Sequence, residues 1–252
     1  MIIPIEIAKN FLMGIGPVAK YAQKRHTTGV GADSSRAREV FEFYSTFIPV
    51  EGKDVLEIGP GQCLEVLGYA LAAGAKTCTA VDIVDYVPPT TALNNGVSYE
   101  IYDGRKLPFE SERFDVIWAY TAFEHLRYPA LTVAECFRVL REGGRLVSLI
   151  DLADHSFYGM EGTDPAKLFH CLGYPEWLWN LMKWNRSSFV NRLRKSDWLG
   201  LFEDAGFRFR HTEARESEET IQALPGLKHL HKYSREDAVT QVLTVCLEKP
   251  AA

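Results

Sequence analysis

The sequence has no uninterrupted apolar stretch of about 20 residues, so no transmembrane helix is expected. Positive charge is not in excess: 28 Lys and Arg stand against 33 Asp and Glu, a net charge of −5. That balance gives no general pull toward nucleic acid or anionic membranes. The five cysteines (Cys63, Cys78, Cys136, Cys171, Cys246) form no CxxC pair and no metal-type spacing with histidine, so no metal site is expected. An odd, unpatterned set suits a reducing compartment. The opening MIIPIEIAKNFLMGIGPVAK lacks a basic n-region and is interrupted by Pro4, Glu6 and Lys9. It makes a poor signal peptide, and a cytoplasmic location is expected. Internal repeats and low-complexity tracts are missing too. What remains is ordinary globular composition, 46% hydrophobic and 24% charged, enough to bury a full core. One feature stands out: four of the five tryptophans (Trp177, Trp179, Trp184, Trp198) fall within 22 residues.

Along the chain, Ile5, Ala8, Phe11, Leu12 and Ile15 recur at helical spacing. The expectation is a helix packed on the core; the other reading is a membrane-surface anchor. A loop, RHTTGVGADSS, leads into an expected helix from about Ser35 to Phe47. From 53 to 150 short β runs alternate with helices: KDVLEI, TCTAVDI, VSYEIYD, RFDVIWAY and GGRLVSLI read as strands. Gln62–Ala73 and Pro129–Leu140 read as helices. Strands this apolar, separated by helices, imply an α/β fold with a parallel sheet covered on both faces. Residues 151–195 break the rhythm and are rich in aromatics. SDWLGLFEDAG then reads as a helix with Ser196 as N-cap. GFRFRHTE and AVTQVLTVCLEK read as paired strands. The RESEE segment between them reads as a solvated face.

The informative motif is VLEIGPGQC, residues 55–63. A strand ends and the chain turns on Gly59, Pro60 and Gly61, where a Cβ would obstruct a ligand lying against the backbone. The end of the first strand is the expected ligand crevice of an open α/β sheet. A dinucleotide fingerprint needs a sixth-position glycine, and Leu64 stands there. Glu57, expected inside the turn, would repel pyrophosphate but suits an ammonium group. Asp82, ending the second strand, can accept from ribose hydroxyls, and Asp103, after the third, from an adenine amine. The ligand that joins adenosine to an amino-acid tail is S-adenosylmethionine.

LEIGPG, AVDI, DGRKLPFESERFDVIWAYTAFEHL and ECFRVLREGGRLVSL resemble the class I S-adenosylmethionine-dependent methyltransferases, closest to the small-molecule branch that includes ubiquinone/menaquinone-type C-methyltransferases. The resemblance covers residues 53–150 and the last two strands. It implies a Rossmann-like doubly wound seven-stranded sheet, last strand antiparallel. It also implies cofactor contacts from Glu57, Gly59, Pro60, Gly61, Asp82, Asp103 and Gly104. Ile83 would pack on adenine, and Ala119 or Tyr120 would line the methyl-transfer mouth. Where many members carry a third glycine, this chain has Cys63. RHTTGV, IDLADHSFYG and NRLRKSDWLGLFEDAGF are similar to uncharacterised methyltransferase-like proteins of bacterial polysaccharide and secondary-metabolite gene clusters.

These readings imply a single domain: an N-terminal helical lid (1–48), a cofactor core (53–150), an aromatic cap insertion (151–195), and a final helix and strands (196–252). The expected reaction is methyl transfer to an oxygen, or else a nitrogen or carbon, of a small or glycan/lipid-linked metabolite. The rival is a protein that binds the cofactor without methylating, as a regulator or a cyclase. His125 and His155 are the candidate bases, after the fourth and fifth strands, with Asp151 as a polarising partner. Tyr120, Trp177, Trp184 and Arg192 are candidates for the acceptor pocket, Arg192 for a phosphate or carboxylate. Trp177, Leu181 and Trp184 share one helical face, which could equally pack on the sheet. Nucleic acid is disfavoured because WAYTAF stands where base methyltransferases carry an Asp/Asn-Pro-Pro-Tyr/Phe motif. A monomer or homodimer is expected.

Overall fold

A computed structural model describes residues 3–23, 34–87, 96–155, 158–159, 162–163 and 167–251. Helices α1 (Ile3–Met13), α2 (Gly16–Gln23) and α3 (Ser34–Ser45) come first. Then follow β1 (Asp54–Ile58), α4 (Glu65–Ala72), β2 (Thr77–Asp82), β3 (Ser98–Ile101), β4 (Phe114–Tyr120), α5 (Pro129–Val139) and β5 (Leu140–Asp151). A two-residue hairpin, β6 (Tyr158–Gly159) and β7 (Gly162–Thr163), precedes α6 (Glu176–Lys183) and α7 (Lys195–Asp204). The chain ends with β8 (Arg208–Glu216), α8 (Glu218–Ala223), α9 (Arg235–Val239) and β9 (Thr240–Glu248).

Seven strands form one sheet in the order β3-β2-β1-β4-β5-β9-β8. Parallel pairing joins β1 to β2 and β4, β2 to β3, and β4 to β5. β9 runs antiparallel to β5: Gly143 and Gly144 bond Lys249, while Leu152 bonds Gln241, so one number falls as the other rises. This is the Rossmann-like, last-strand-antiparallel sheet that the residues implied. β1 is buried at every position, as a central strand covered on both faces must be.

The described residues group into two compact units. The sheet unit is Thr27–Ile150, Gly200–Glu213 and Thr244–Ala252; the helical unit is Met1–His26, Asp151–Leu199 and Ala214–Leu243. In the sheet unit, α3 and α4 cover one face, with Ala37, Val40 and Tyr44 meeting Val55, Val116 and Trp118. In the helical unit a separate core gathers Leu168, Phe169, Trp179, Met182, Phe189 and Leu230.

Several local expectations are corrected. α1 presents the opposite face from the one expected: Ile5, Ala8, Phe11, Leu12 and Ile15 are exposed while Glu6 and Asn10 are buried. The polar side has partners on α6 and in the residues just after it. Glu6 pairs with Lys183 and Arg186, and Asn10 donates to the Leu181 carbonyl and accepts from the Asn185 N–H. The first helix after β1 starts at Glu65, because the glycine turn runs on to Leu64. Ser196 is not an N-cap: Asp197 accepts from the Arg194 N–H, and the Ser196 hydroxyl donates to Asp237. RESEE is solvated as expected, with Arg215, Glu216, Glu218 and Glu219 exposed, but its Ser217 is buried as the N-cap of α8 and accepts from the Thr220 N–H. The RHTTGVG loop lies outside the described residues.

Candidate functional site

Strand β1 delivers Glu57 at its penultimate position, not inside the turn as expected. The carboxyl is buried, and its Oε2 meets no hydrogen-bond partner. Desolvation pushes its pKa up to about 8. Two more buried polar atoms without a partner, Tyr44 Oη and Trp118 Nε1, belong to the same face. Trp118 is the β4 neighbour of Glu57 in register, and Tyr44 of α3 stacks on it with ring centroids 4.4 Å apart. Burial, then the Glu57 charge, raises the Tyr44 phenol. Leaving a buried polar group unpaired costs about 1–3 kcal/mol, so three in one patch mark a place where polar matter belongs.

Beyond β1 the backbone turns through Gly59 (φ 71°) and Gly61 (φ 65°), a region that disfavours any side chain. The physical need at Gly59 differs from the expected one. An added Cβ would stand 2.7 Å from the Ala122 Cβ, so the crowding comes from the chain leaving β4. There Thr121 holds a positive φ of 46°, strained for a β-branched residue, and its N–H bonds the Leu149 carbonyl.

Asp82 ends β2 with a buried carboxyl that accepts from the N–H groups of Gly61 and Val84. Burial lifts it to about 6 although those bonds pull the other way. This bond ties the glycine turn to the second strand end. A pocket of about 170 Å³ opens beside it, lined by Ile83, Tyr102, Asp103, Gly104, Leu126, Arg127 and Tyr128. Asp103 accepts from the N–H groups of Lys106 and Arg105, which hold its carboxyl below the usual range. Arg105 lies 4.4 Å from the Tyr128 ring and bonds its hydroxyl, bracing one wall. Ile83 is 40% exposed, an apolar side chain open for a planar ligand.

The structure thus brings Gly61 and Asp82 into contact, and Ile83, Asp103 and Gly104 into one pocket. Pro60 is buried in the turn. Ala119 and Tyr120 cannot share a role, because neighbours on a strand face opposite ways. Ala119 is fully buried opposite Ser148. Tyr120 is half-buried, edge-on to Phe43 and Tyr44, with Arg36 bonding its hydroxyl. His125 ends a short 3-10 turn, Phe123–His125, in the sheet unit.

In the helical unit, Asp151 accepts from the Ala153 N–H. Burial lowers the His155 pKa while Asp151 and Asp154 oppose it, so the imidazole is biased toward its neutral form. The tryptophans expected for the acceptor wall and the arginine expected for the anion site lie in this unit. Trp177 is 68% exposed, and the buried tryptophan of α6 is Trp179, whose indole N–H bonds the Val190 carbonyl. Trp184 packs edge-on to Phe189. Of the face shared by Trp177, Leu181 and Trp184, the first two are exposed and Trp184 packs on the helical unit's own core. One guanidinium nitrogen of Arg192, Nη1, donates to the carbonyls of Cys171 and Tyr174. Arg194 is no solvated cation either. It is 1% exposed and donates to the carbonyls of Leu152, Asp237 and Thr240.

The sequence reading missed Tyr44, Trp118 and Tyr128. Register could have found Trp118, since period-2 alternation aligns it with Glu57. Tyr44 reaches Glu57 only through the packing of α3, for which no local signal exists.

The cofactor implied by the family fits these residues. A buried unpartnered carboxylate, a turn crowded beyond any side chain, and an apolar pocket flanked by Asp82 and Asp103 suit an ammonium, a closely approached backbone and an adenosine. The sequence of residues 56–148 matches the family model described as "Methyltransferase domain". The ubiquinone biosynthesis O-methyltransferase of Pseudomonas savastanoi pv. phaseolicola is 26% identical over 173 residues, 65% of this chain and 68% of that protein. A solved S-adenosylmethionine-dependent methyltransferase from Mesorhizobium loti superposes with a TM-score of 0.54 at 18% identity, covering 87% of this chain and all of that one. Phosphoethanolamine N-methyltransferase 2 of Haemonchus contortus, solved with S-adenosyl-L-methionine, gives 0.54 at 16% identity over 85% of this chain and 53% of its own. Residues 56–148 carry a methyltransferase domain, and the sheet order, the glycine turn and these relatives together support a class I S-adenosylmethionine-dependent methyltransferase.

Proposed function

We propose that the protein methylates an oxygen of a small or glycan/lipid-linked metabolite. The unpartnered Glu57 carboxylate beneath the Gly59–Gly61 turn carries the cofactor half of this reading. Glu57 holds the amino group of the donor, Asp82 the ribose hydroxyls, Ile83 and its pocket the adenine ring, and Asp103 the exocyclic amine. The bound cofactor supplies an electrophilic methyl on a sulfonium, so the protein has mainly to align donor and acceptor. Alignment is worth up to about 7–11 kcal/mol. The choice of oxygen follows the ubiquinone biosynthesis O-methyltransferases among the relatives. An acceptor hydroxyl needs a base, and a histidine kept neutral can take its proton; His155, biased that way by burial, is the better candidate, with Asp151 to stabilise the imidazolium. His125 is the alternative base. Five buried free thiols suit a cytoplasmic enzyme.

Two measurements test this. Titration calorimetry with S-adenosylmethionine in buffers of different ionisation enthalpy should show proton release near pH 7, because an ammonium beside Glu57 forces its proton off. Binding with no proton release removes Glu57 from the site. Radiolabelled methyl transfer across a panel of hydroxylated, amino and lipid-linked acceptors should yield a labelled product whose new methyl is located on oxygen by its NMR chemical shift. Transfer only to nitrogen or carbon overturns the choice of oxygen.

A further inference from the structure

α1 buries two polar residues, Glu6 and Asn10, each with a partner, while Ile3 and Ile7 touch the helical unit's core and Lys9 and most of its other apolar residues are exposed. Glu6 is held by Lys183, Arg186 and Lys9 and lies at a pKa of about 2, burial being outweighed by those cations. Asn10 is bound on both its oxygen and its nitrogen. These bonds fix the rotation of the helix about its axis, and so fix Phe11 (65% exposed), Leu12 and Ile15 outward. α2 continues the pattern with Val18 and Tyr21 (61% exposed). α6, to which α1 is bonded, adds Trp177 and Leu181. Exposed apolar side chains on successive helices mark an interaction surface rather than chance exposure.

Charge says what covers it. Residues 1–32 carry four Lys or Arg (Lys9, Lys20, Lys24, Arg25) against one acid, Glu6. The other 220 residues carry eight more acids than bases. The overall negative charge therefore hides a basic stretch of sequence, and that stretch is the one that carries the exposed apolar residues of α1 and α2. Apolar residues with interfacial aromatics and a basic surround match the headgroup region of an acidic bilayer. We propose that α1 and α2 dock the protein on an anionic lipid surface, Phe11, Leu12, Ile15 and Tyr21 entering the headgroup layer. A second copy of this chain would bring the same positive charge and would repel it.

The experiment is co-sedimentation of the full chain with vesicles of phosphatidylcholine alone and of phosphatidylcholine mixed with phosphatidylglycerol. The protein should pellet with the mixed vesicles, weakly or not at all with the neutral ones, and less as salt rises. Tryptophan emission should shift to the blue on binding, and Trp177→Phe should remove most of that shift, since Trp118, Trp179 and Trp198 are already buried and Trp184 is half-buried against Phe189. Phe11→Glu and, separately, Ile15→Ser should weaken binding, the first by about tenfold or more, with unchanged unfolding and cofactor affinity. Because these side chains are exposed, both variants should fold. A wild-type chain that stays in the supernatant with phosphatidylglycerol, or a Phe11→Glu chain that pellets as well as wild type, overturns the proposal. So does a dimer in solution that Phe11→Glu converts to monomer while vesicles are ignored.

Discussion

Buried charged residues are treated in two ways: Arg194 and Lys183, like Asp54 of the sheet unit with Lys76, Arg113 and Arg141, have partners from the fold, and Glu57 does not. In the helical unit, Arg194 and Lys183 are buried and answered: three carbonyls take the guanidinium, and Glu6 takes the ammonium. In the sheet unit, Glu57 is buried and unanswered, with Tyr44 and Trp118 unpaired beside it. The first arrangement is structural, because the partners come from the fold itself. The second costs stability in the ligand-free protein, and only a ligand can return that cost. A buried polar group thus reports its purpose through what surrounds it, not through its burial.

The sharpest break of this contrast is Glu57→Gln. A carboxyl whose folded pKa stands near 8, against 4.5 for the exposed group, contributes most to stability below pH 4.5 and loses that contribution as pH rises toward 8. The difference is about 5 kcal/mol. Urea unfolding at pH 5 and pH 8 should therefore show the variant gaining on wild type as pH rises, while its cofactor affinity falls. A pH-independent difference would mean Glu57 already has a partner. Next is Arg194→Leu, which strips the donors from three buried carbonyls and should cost about 3–5 kcal/mol at every pH. Arg194→Lys should not restore it, since one ammonium cannot span the three carbonyls. A mild loss would show that Arg194 is less essential than its bonds imply. Gly59→Ala should cost about 2–4 kcal/mol, from the left-handed backbone and the Ala122 contact together. Pairing it with Ala122→Gly should recover the part due to crowding, which separates the two causes by chemical denaturation. Smallest is Trp177→Ala, expected within about 0.5 kcal/mol of wild type in thermal unfolding. A large effect there would place Trp177 in the helical core after all.

How much was readable in advance follows the same division. β1, β2, β4 and their glycine turn were legible because buried parallel strands show as apolar runs and glycine punctuates them. Gly59, Gly61, Asp82, Ile83, Asp103 and Gly104 could be named because each lies next to a strand end, a local signal. The helical unit was read less well. Periodicity gave α1 its two faces, but could not say that Lys183 and Arg186, more than 170 residues away, would claim the polar one. The tryptophan cluster likewise looked like one apolar wall. It divides into Trp179 and Trp198 in the interior and Trp177 outside, because a hydrophobic residue is free to be buried or exposed until its neighbours are fixed.

The sequence alone determined the sheet class, the place of the glycine turn and the acids at the strand ends, since period, chain punctuation and residue chemistry are local. Only tertiary structure decided which atoms stay unpaired, why Gly59 must be glycine, and which way α1 faces. Each of those depends on a partner brought from elsewhere in the chain: Tyr44 to Glu57, Ala122 to Gly59, and Lys183 to Glu6.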